Sequence, residues 1–181
     1  ANDLASAGAE PVAVLVSALL PAGTEEAEIR ELMRQMETAC EALHMEIAGG
    51  HTEITRAVNQ PVLTVTGIGR VKRSRMITTG GARPGQDVVV SKWIGLEGTS
   101  IIAKEKETEL LTRFPAHMIE TAKRFDRYLS IVPEAATAGK SGVSAMHDVT
   151  EGGIFGALWE LAERSGVGLE IDWKRIPVRQ E

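Results

Sequence analysis

An apolar run near the start of the chain, residues 11–20, constrains the fold more than any other feature. It reads PVAVLVSALL, is rich in valine and is interrupted only by Ser17. Its length and β-branching favour a strand that is buried on both faces. The run falls well short of the roughly 20 apolar residues that a membrane helix needs. The sequence therefore predicts a protein without a membrane span, built around a buried strand.

The composition excludes several classes of protein. Hydrophobic residues make up 43% of the 181 residues and charged residues 25%, which is ordinary for a folded protein and excludes a disordered tail, a collagen-like fibre and a disulfide scaffold. Cys40 is the only cysteine, so no intrachain disulfide can form and a cytoplasmic location is expected. The net charge of −5 argues against bulk nucleic-acid binding.

Strands and helices alternate along the rest of the chain, which predicts an α/β (α+β) fold. The turn-rich stretch at 78–85, after the basic run Val71–Arg75, marks a boundary near residue 75. We therefore predict two domains, 1–75 and 76–181. The predicted strands are 11–20, 46–48, 61–69, 87–93, 143–147 and one that starts at 169–172. The predicted helices are 24–44, one that starts at Ser100, 105–129, and one that begins at Gly152 and Gly153. Thr24 is the predicted N-cap of the first helix, and Pro115 marks a break in the third.

The two ends of the chain carry no start or stop signals of their own. The first residues lack an initiator Met and a signal-peptide pattern, and the last residues follow directly on a predicted strand and turn. We expect the chain to be an internal piece of a longer protein, with part of any active site outside it.

The segment Met146–Gly153 is the sharpest candidate for chemistry. A strand is followed by Asp148, Thr150 and the pair Gly152-Gly153 at the entrance to a helix. Free N–H groups at a helix start favour an anion such as phosphate, and a carboxylate beside it is a suitable Mg²⁺ ligand. The alternative is that Asp148 or Thr150 simply caps the helix.

Two further stretches are weaker candidates. Gly49, Gly50, His51 and Thr52, followed by Glu53, can form a loop with backbone donors and a proton-transfer group, although a Gly-Gly turn with a surface histidine is often only structural. Asp3 near the chain start has the alternative of a helix cap.

Two rival functions stay open at this point. The set His51, Glu53, His147 and Asp148 could form a transition-metal hydrolase site, but no two histidines have one-turn helical spacing. The basic run Lys72–Arg75 could contact phosphates, and nucleic-acid binding through it would be salt-dependent.

Taken together, the motifs resemble the PurM-like superfamily of aminoimidazole ribonucleotide (AIR) synthase, nearest its AIR synthase-related and hydrogenase-maturation HypE branch. The matching stretches follow in family order and cover essentially the whole chain. They are Asn2–Pro11, Gly49–Thr52, Arg83–Asp87 with Gly95, Asp148–Gly153 and Val167–Val178.

The resemblance implies a partial N-terminal PurM-like domain that pairs into a dimer barrel, and a partial C-terminal α/β domain. It also implies ATP and Mg²⁺ as cofactors, a homodimer, and phosphorylation of an oxygen, often an amide-like carbonyl, on a small-molecule or protein-carried acceptor. By the same resemblance, Asp3 and Asp148 bind the metal, and Asp148 and His51 are catalytic. Gly49, Gly50, Thr52, Thr150, Gly152 and Gly153 would bind the nucleotide.

The sequence also departs from the family pattern. His51 stands where many relatives carry an acid, with Glu53 as a candidate substitute, and the family's N-terminal ATP motif and C-terminal portion are absent. The resemblance thus predicts an ATP-dependent enzyme, with a nucleotide-binding regulatory protein without turnover as the alternative. We expect the chain by itself to bind nucleotide weakly or to lack turnover.

Overall fold

The computed structural model describes all 181 residues, which form two compact units. Unit 1 comprises Ala1 and Asp3–Met76, and unit 2 comprises Asn2 and Ile77–Glu181. No helix in either unit has the length and apolar character that crossing a membrane requires. Unit 1 contains a sheet and helices and unit 2 is mainly helical, which confirms the mixed α/β class.

Unit 1 is built on a three-stranded sheet. Its strand order is β2-β1-β3, with β2 parallel and β3 antiparallel to the central strand β1. A parallel pair needs a crossover connection, which α2 provides between β1 and β2. The elements of this unit are α1 (Asn2–Ser6, of which Asn2 groups with unit 2), β1 (Glu10–Pro21), α2 (Glu26–Ala42), β2 (Glu46–Thr55) and β3 (Val62–Arg70).

The core of unit 1 lies on one face of the sheet. Val14 and Val16 are buried with Met45, and Met36 and Cys40 of α2 pack against them. Side chains alternate between the two faces of a strand, so Leu15 lies on the opposite face, where it is 40% exposed. The prediction that this strand is buried on both faces is wrong, because α2 covers only one of them.

The start of α2 differs from the prediction by one residue. Glu25 is the N-cap, and its backbone N–H donates to Oε2 of Glu28 at 2.8 Å in a reciprocal capping box. The hydroxyl of Thr24 donates instead to the carbonyl oxygen of Pro21 at 2.7 Å. The start of α2 is therefore stabilised by the capping box of Glu25 and Glu28 and not by the side chain of Thr24.

Unit 2 is organised around a helical core. The buried residues Leu96, Ala103, Ile119 and Phe125 form one cluster, with Trp93 against it. Pro115 is the N-cap of α5, which confirms the predicted break. The helices are α3 (Leu96–Glu105), α4 (Glu107–Leu110), α5 (Ala116–Lys123), α6 (Val132–Ser141) and α7 (Gly153–Ser165).

Three predicted strands of unit 2 are not strands. Residues 87–93, 143–147 and 169–172 form no ladder, because a strand needs a hydrogen-bonded neighbour and none of these segments has one. An isolated bond from the N–H of Ile94 to the carbonyl oxygen of Pro177 (3.0 Å) shows how sparse such contacts are here. Conversely, the structure contains α6, a helix outside the predicted set, which has a proline in its first turn and ends at Gly142 in a left-handed conformation.

Candidate functional site

Residues 148–152 precede α7, and none of their side chains forms a capping hydrogen bond with the helix. Gly152 is the N-cap residue, and no side chain bonds to the start of the helix. The N–H of Gly153 bonds to the backbone oxygen of Thr150 at 2.9 Å, while the Thr150 side chain is exposed. The alternative that Asp148 or Thr150 caps α7 is therefore wrong. The first turn of this 13-residue helix has no side-chain acceptor, as a helix start that binds an anion requires.

The glycine pair at this position has two separate local causes. Gly153 has a φ of 59°, a left-handed conformation that is costly for residues with a Cβ atom. A Cβ atom at Gly152 would lie 2.9 Å from the Cα atom of Gly156 in the next turn. Both glycines are thus required by the backbone, and both leave the helix start open.

His147 joins the Asp148 segment to the body of α7. Its Nδ1 lies 2.6 Å from the backbone oxygen of Asp148, and its Nε2 lies 2.9 Å from Oε2 of Glu160. Burial lowers the pKa of His147, but the hydrogen bonds to Glu160 and to the Asp148 carbonyl, with the nearby negative charges, outweigh burial and raise it. Both ring nitrogens face acceptors, so the charged form satisfies both. Sequence reasoning missed Glu160, since nothing in its surroundings marks it as a partner.

The Gly49–Thr52 segment is part of a strand and not a loop. These four residues lie inside β2 and pair in register with residues 15–18 of β1 after a bulge that leaves Ala48 unpaired. A Cβ atom at Gly50 would lie 1.8 Å from the carbonyl oxygen of Val16. The predicted loop is wrong, because the two glycines allow a close approach of neighbouring backbones instead of ending the strand.

His51 projects from β2 into solvent. Its side chain is 65% exposed, and its Nε2 lies 3.4 Å from Oε2 of Glu53, two residues along the same strand face. A cleft of about 220 Å³ lies between β2 and α2 and is lined by Gly49–Thr52 together with Val16, Met33, Met36 and Ile47. A larger cleft of about 390 Å³ at the start of α2 contains none of the predicted site residues.

Asp3 lies in the first turn of α1, where it is exposed and its carboxylate makes no hydrogen bond or ion pair. The N-cap position belongs to Ala1, so Asp3 is not a cap. Its neighbour Asn2 belongs to unit 2, where its side chain donates to the carbonyl oxygen of Leu129 (2.8 Å) and accepts from the N–H of Ile131 (3.0 Å).

The carboxylates and histidines do not form a complete metal site within the chain. No group of three or more His, Cys, Asp or Glu side chains is arranged to hold a metal ion. A hydrolase zinc site needs about three protein ligands, so the arrangement does not support that rival function. Mg²⁺ needs fewer protein ligands, because it commonly binds one or two carboxylates together with nucleotide phosphates and water.

Comparison with known proteins agrees with the motifs. The chain is 30% identical over 179 residues to carbamoyl dehydratase HypE of Cupriavidus necator, covering 98% of this chain and 49% of that protein. It is 29% identical over 184 residues to thiamine-monophosphate kinase of Methanospirillum hungatei, covering 99% and 56%. A crystal structure of hydrogenase maturation protein HypE in complex with ATP superposes with a TM-score of 0.82 at 22% identity, covering 99% of this chain and 52% of that one.

The chain spans about half the length of these curated relatives. Two domain families match most of the residues of the chain. Residues 1–71 match the N-terminal domain of AIR synthase related proteins, and residues 83–181 match the C-terminal domain. The chain therefore belongs to the AIR synthase related protein family.

Proposed function

We propose that the protein is an ATP-dependent, Mg²⁺-requiring enzyme of the HypE-like branch that acts in hydrogenase maturation. It transfers the γ-phosphoryl group of ATP to an amide-like carbonyl oxygen of an acceptor and releases ADP. Family membership and the relatives named above support this choice. The observation that carries it is the start of α7, which no side chain caps and which lies shortly after Asp148 in the chain.

The residues of unit 2 would bind the phosphate end of the nucleotide. The N–H of Gly152 and the hydroxyl of Thr150 would donate to phosphate oxygens. The N–H of Gly153 is bonded to the Thr150 carbonyl oxygen, so Gly153 would contribute through its left-handed backbone, which lets a phosphate approach closely. Asp148 and Asp3 would hold Mg²⁺, which neutralises charge on the transferred phosphoryl group when it is bound.

The residues of β2 would form the second nucleotide-side motif. Gly49, Gly50 and Thr52 line a cleft, and the exposed His51 can move a proton. In the transfer, the acceptor oxygen forms a bond to the γ-phosphorus while the bond from that phosphorus to the β,γ-bridging oxygen breaks. His51 would take the proton that the amide nitrogen of the acceptor loses as its oxygen is phosphorylated and the carbon–nitrogen double bond forms, with Glu53 beside the ring.

The uncovered face of the sheet supports a homodimer. Leu15, Val62 and Ile68 lie on the face opposite to α2 and are each about 40% exposed (40%, 40% and 41%). A second copy of the protein would bury this apolar surface. The acceptor, small or protein-carried, and the cytoplasmic location stay predictions.

An ADP-release assay on the full-length protein with candidate amide-bearing acceptors tests the function. Asp148→Asn should weaken Mg-ATP binding about 10- to 100-fold, because a metal ligand is lost. Asp126→Asn is the matched control, since Asp126 is an exposed aspartate that pairs with Lys104. Mg-ATP binding without ADP release with any acceptor would favour the regulatory alternative. Equal affinity in Asp148→Asn would exclude the assigned role of Asp148.

A further inference from the structure

His147 connects the segment that precedes α7 to a residue inside this helix, 13 positions along the chain. One ring nitrogen lies 2.6 Å from the backbone oxygen of Asp148, and the other lies 2.9 Å from the carboxylate of Glu160 on α7. The distance to Glu160 is typical of an N–H···O hydrogen bond, and the distance to the Asp148 oxygen is slightly shorter than usual. The imidazole thus bridges the segment before the helix and a residue two turns inside it.

The hydrogen bonds of His147 are less exposed to solvent than those of a typical surface pair. The His147 side chain is 17% exposed and that of Asp148 is 12% exposed, whereas that of Glu160 is 52% exposed. A ring with both nitrogens bonded has a fixed orientation, and burial restricts it further. The exposed Glu160 is therefore the part of the bridge that can be changed without opening the core.

We propose that the His147–Glu160 pair is a positioning clamp that fixes the Asp148 segment against α7. The inference rests on the proposed function, in which the Asp148 carboxylate and the first turn of α7 share the nucleotide phosphates. His147 and Glu160 act through this segment and do not contact the substrate. The clamp keeps the carboxylate and the helix N–H groups in one arrangement before the nucleotide binds, so less ordering is required on binding.

The first test measures the clamp without any nucleotide. Hydrogen–deuterium exchange of the backbone amides at 149–153 in the full-length protein should be about 5-fold faster in Glu160→Ala, since local opening becomes easier. Glu160→Gln should restore slow exchange, because its amide oxygen still accepts from Nε2 of His147. Glu163→Ala removes an exposed carboxylate of the same helix that has no contact with His147, and should exchange like the unaltered protein.

The second test connects the clamp to the nucleotide. In the ADP-release assay, Glu160→Ala should raise the KM for Mg-ATP about 10-fold and change kcat less than about 2-fold, with Glu160→Gln and Glu163→Ala near the unaltered values. A merely structural role would lower stability in urea without this split between KM and kcat.

The outcomes separate the clamp from the proposed function. Unchanged exchange at 149–153 in Glu160→Ala would overturn the clamp, whether or not the protein releases ADP. Faster exchange with an unchanged KM would overturn its role in nucleotide binding, while ADP release by the unaltered protein would still support the proposed function. Absence of ADP release by the unaltered protein would remove the proposed function, and the exchange measurement would still decide whether the clamp exists.

Discussion

Gly50 of β2 and Val16 of β1 are paired so closely that a Cβ atom at Gly50 would lie 1.8 Å from the Val16 carbonyl oxygen. Gly50 also has a φ of 145°, which L residues rarely adopt. The glycine is therefore required for the sheet itself, apart from any contact with nucleotide.

Gly50→Ala should lower the free energy of unfolding by about 2–4 kcal/mol, because the added methyl group collides with backbone and the residue is strained. Gly98→Ala is the control: Gly98 lies inside α3 with no atom within 4 Å of a Cβ position, so alanine should stabilise the protein by about 0.5–1 kcal/mol. Urea denaturation of both variants measures the two opposite changes. A Gly50→Ala protein as stable as the unaltered one would show that the strands are not so close.

Gly153 and Gly156 in α7 provide a second matched pair. A Cβ atom meets nothing within 4 Å at either position, but only Gly153 has a positive φ. Gly153→Ala should therefore destabilise the protein by about 1–2 kcal/mol and weaken Mg-ATP binding by displacing the first N–H groups of the helix. Gly156→Ala should stabilise it by about 0.5–1 kcal/mol. Isothermal titration calorimetry gives the affinities, and equal nucleotide binding by both variants would count against the phosphate site.

The proposed dimer can be tested with two residues of one strand. Ile68 and Val65 of β3 are both exposed (41% and 56%), but the ladder puts Ile68 on the face away from α2 and Val65 on the face that α2 partly covers. Ile68→Glu should shift the full-length protein to monomers in sedimentation experiments, because a charge would be buried between the copies. Val65→Glu should leave the dimer intact. A dimer that survives Ile68→Glu would place the interface elsewhere.

The ion pair between Lys92 and Glu134 should make stability depend on pH. Nζ of Lys92 lies 2.8 Å from Oε1 of Glu134, and the Lys92 backbone is left-handed, with φ at 59°. Burial raises the pKa of Glu134, but the hydrogen bond and charge of Lys92, with a backbone N–H, outweigh burial and hold the pKa below its ordinary value of 4.5. The folded protein therefore binds this proton less readily than the unfolded chain, so the stabilisation is present above about pH 4.5 and is lost as the pH falls through the lowered folded value.

Glu134→Gln removes this charge and should cost about 1 kcal/mol near pH 7. The difference between variant and unaltered protein should shrink when urea denaturation is repeated near pH 3. A difference that is the same at both pH values would show that the loss comes from packing and not from the ion pair.

Local signals in the sequence predict much of the fold. The valine-rich run, the acidic start of α2 and the glycine pair at the start of α7 are each signals from neighbouring residues, and the structure has all three elements. Strands at 87–93, 143–147 and 169–172 could not be decided in this way, because a β-branched segment forms a strand only when a partner is available. Helix α6 could have been found from Pro133 and Gly142, which mark its two ends.

The sequence likewise predicts those features of the candidate site that depend on neighbouring residues, and not those that depend on tertiary packing. The open start of α7 follows from Gly152 and Gly153, which the sequence shows directly. The partnership of His147 with Glu160 depends on how the helix packs, so sequence spacing gives no sign of it. The Gly49-Gly50 pair predicts a loop when it is considered in sequence alone, whereas in the structure the two glycines let two strands approach closely.

A crystal structure of the full-length protein with Mg²⁺ and a non-hydrolysable ATP analogue tests the central proposal most directly. We expect the carboxylates of Asp3 and Asp148 to coordinate Mg²⁺ at about 2.0–2.1 Å, with the phosphates at the start of α7 and the Gly49–Thr52 segment facing the nucleotide. A nucleotide bound elsewhere, or a metal ion that contacts neither aspartate, would contradict the proposal.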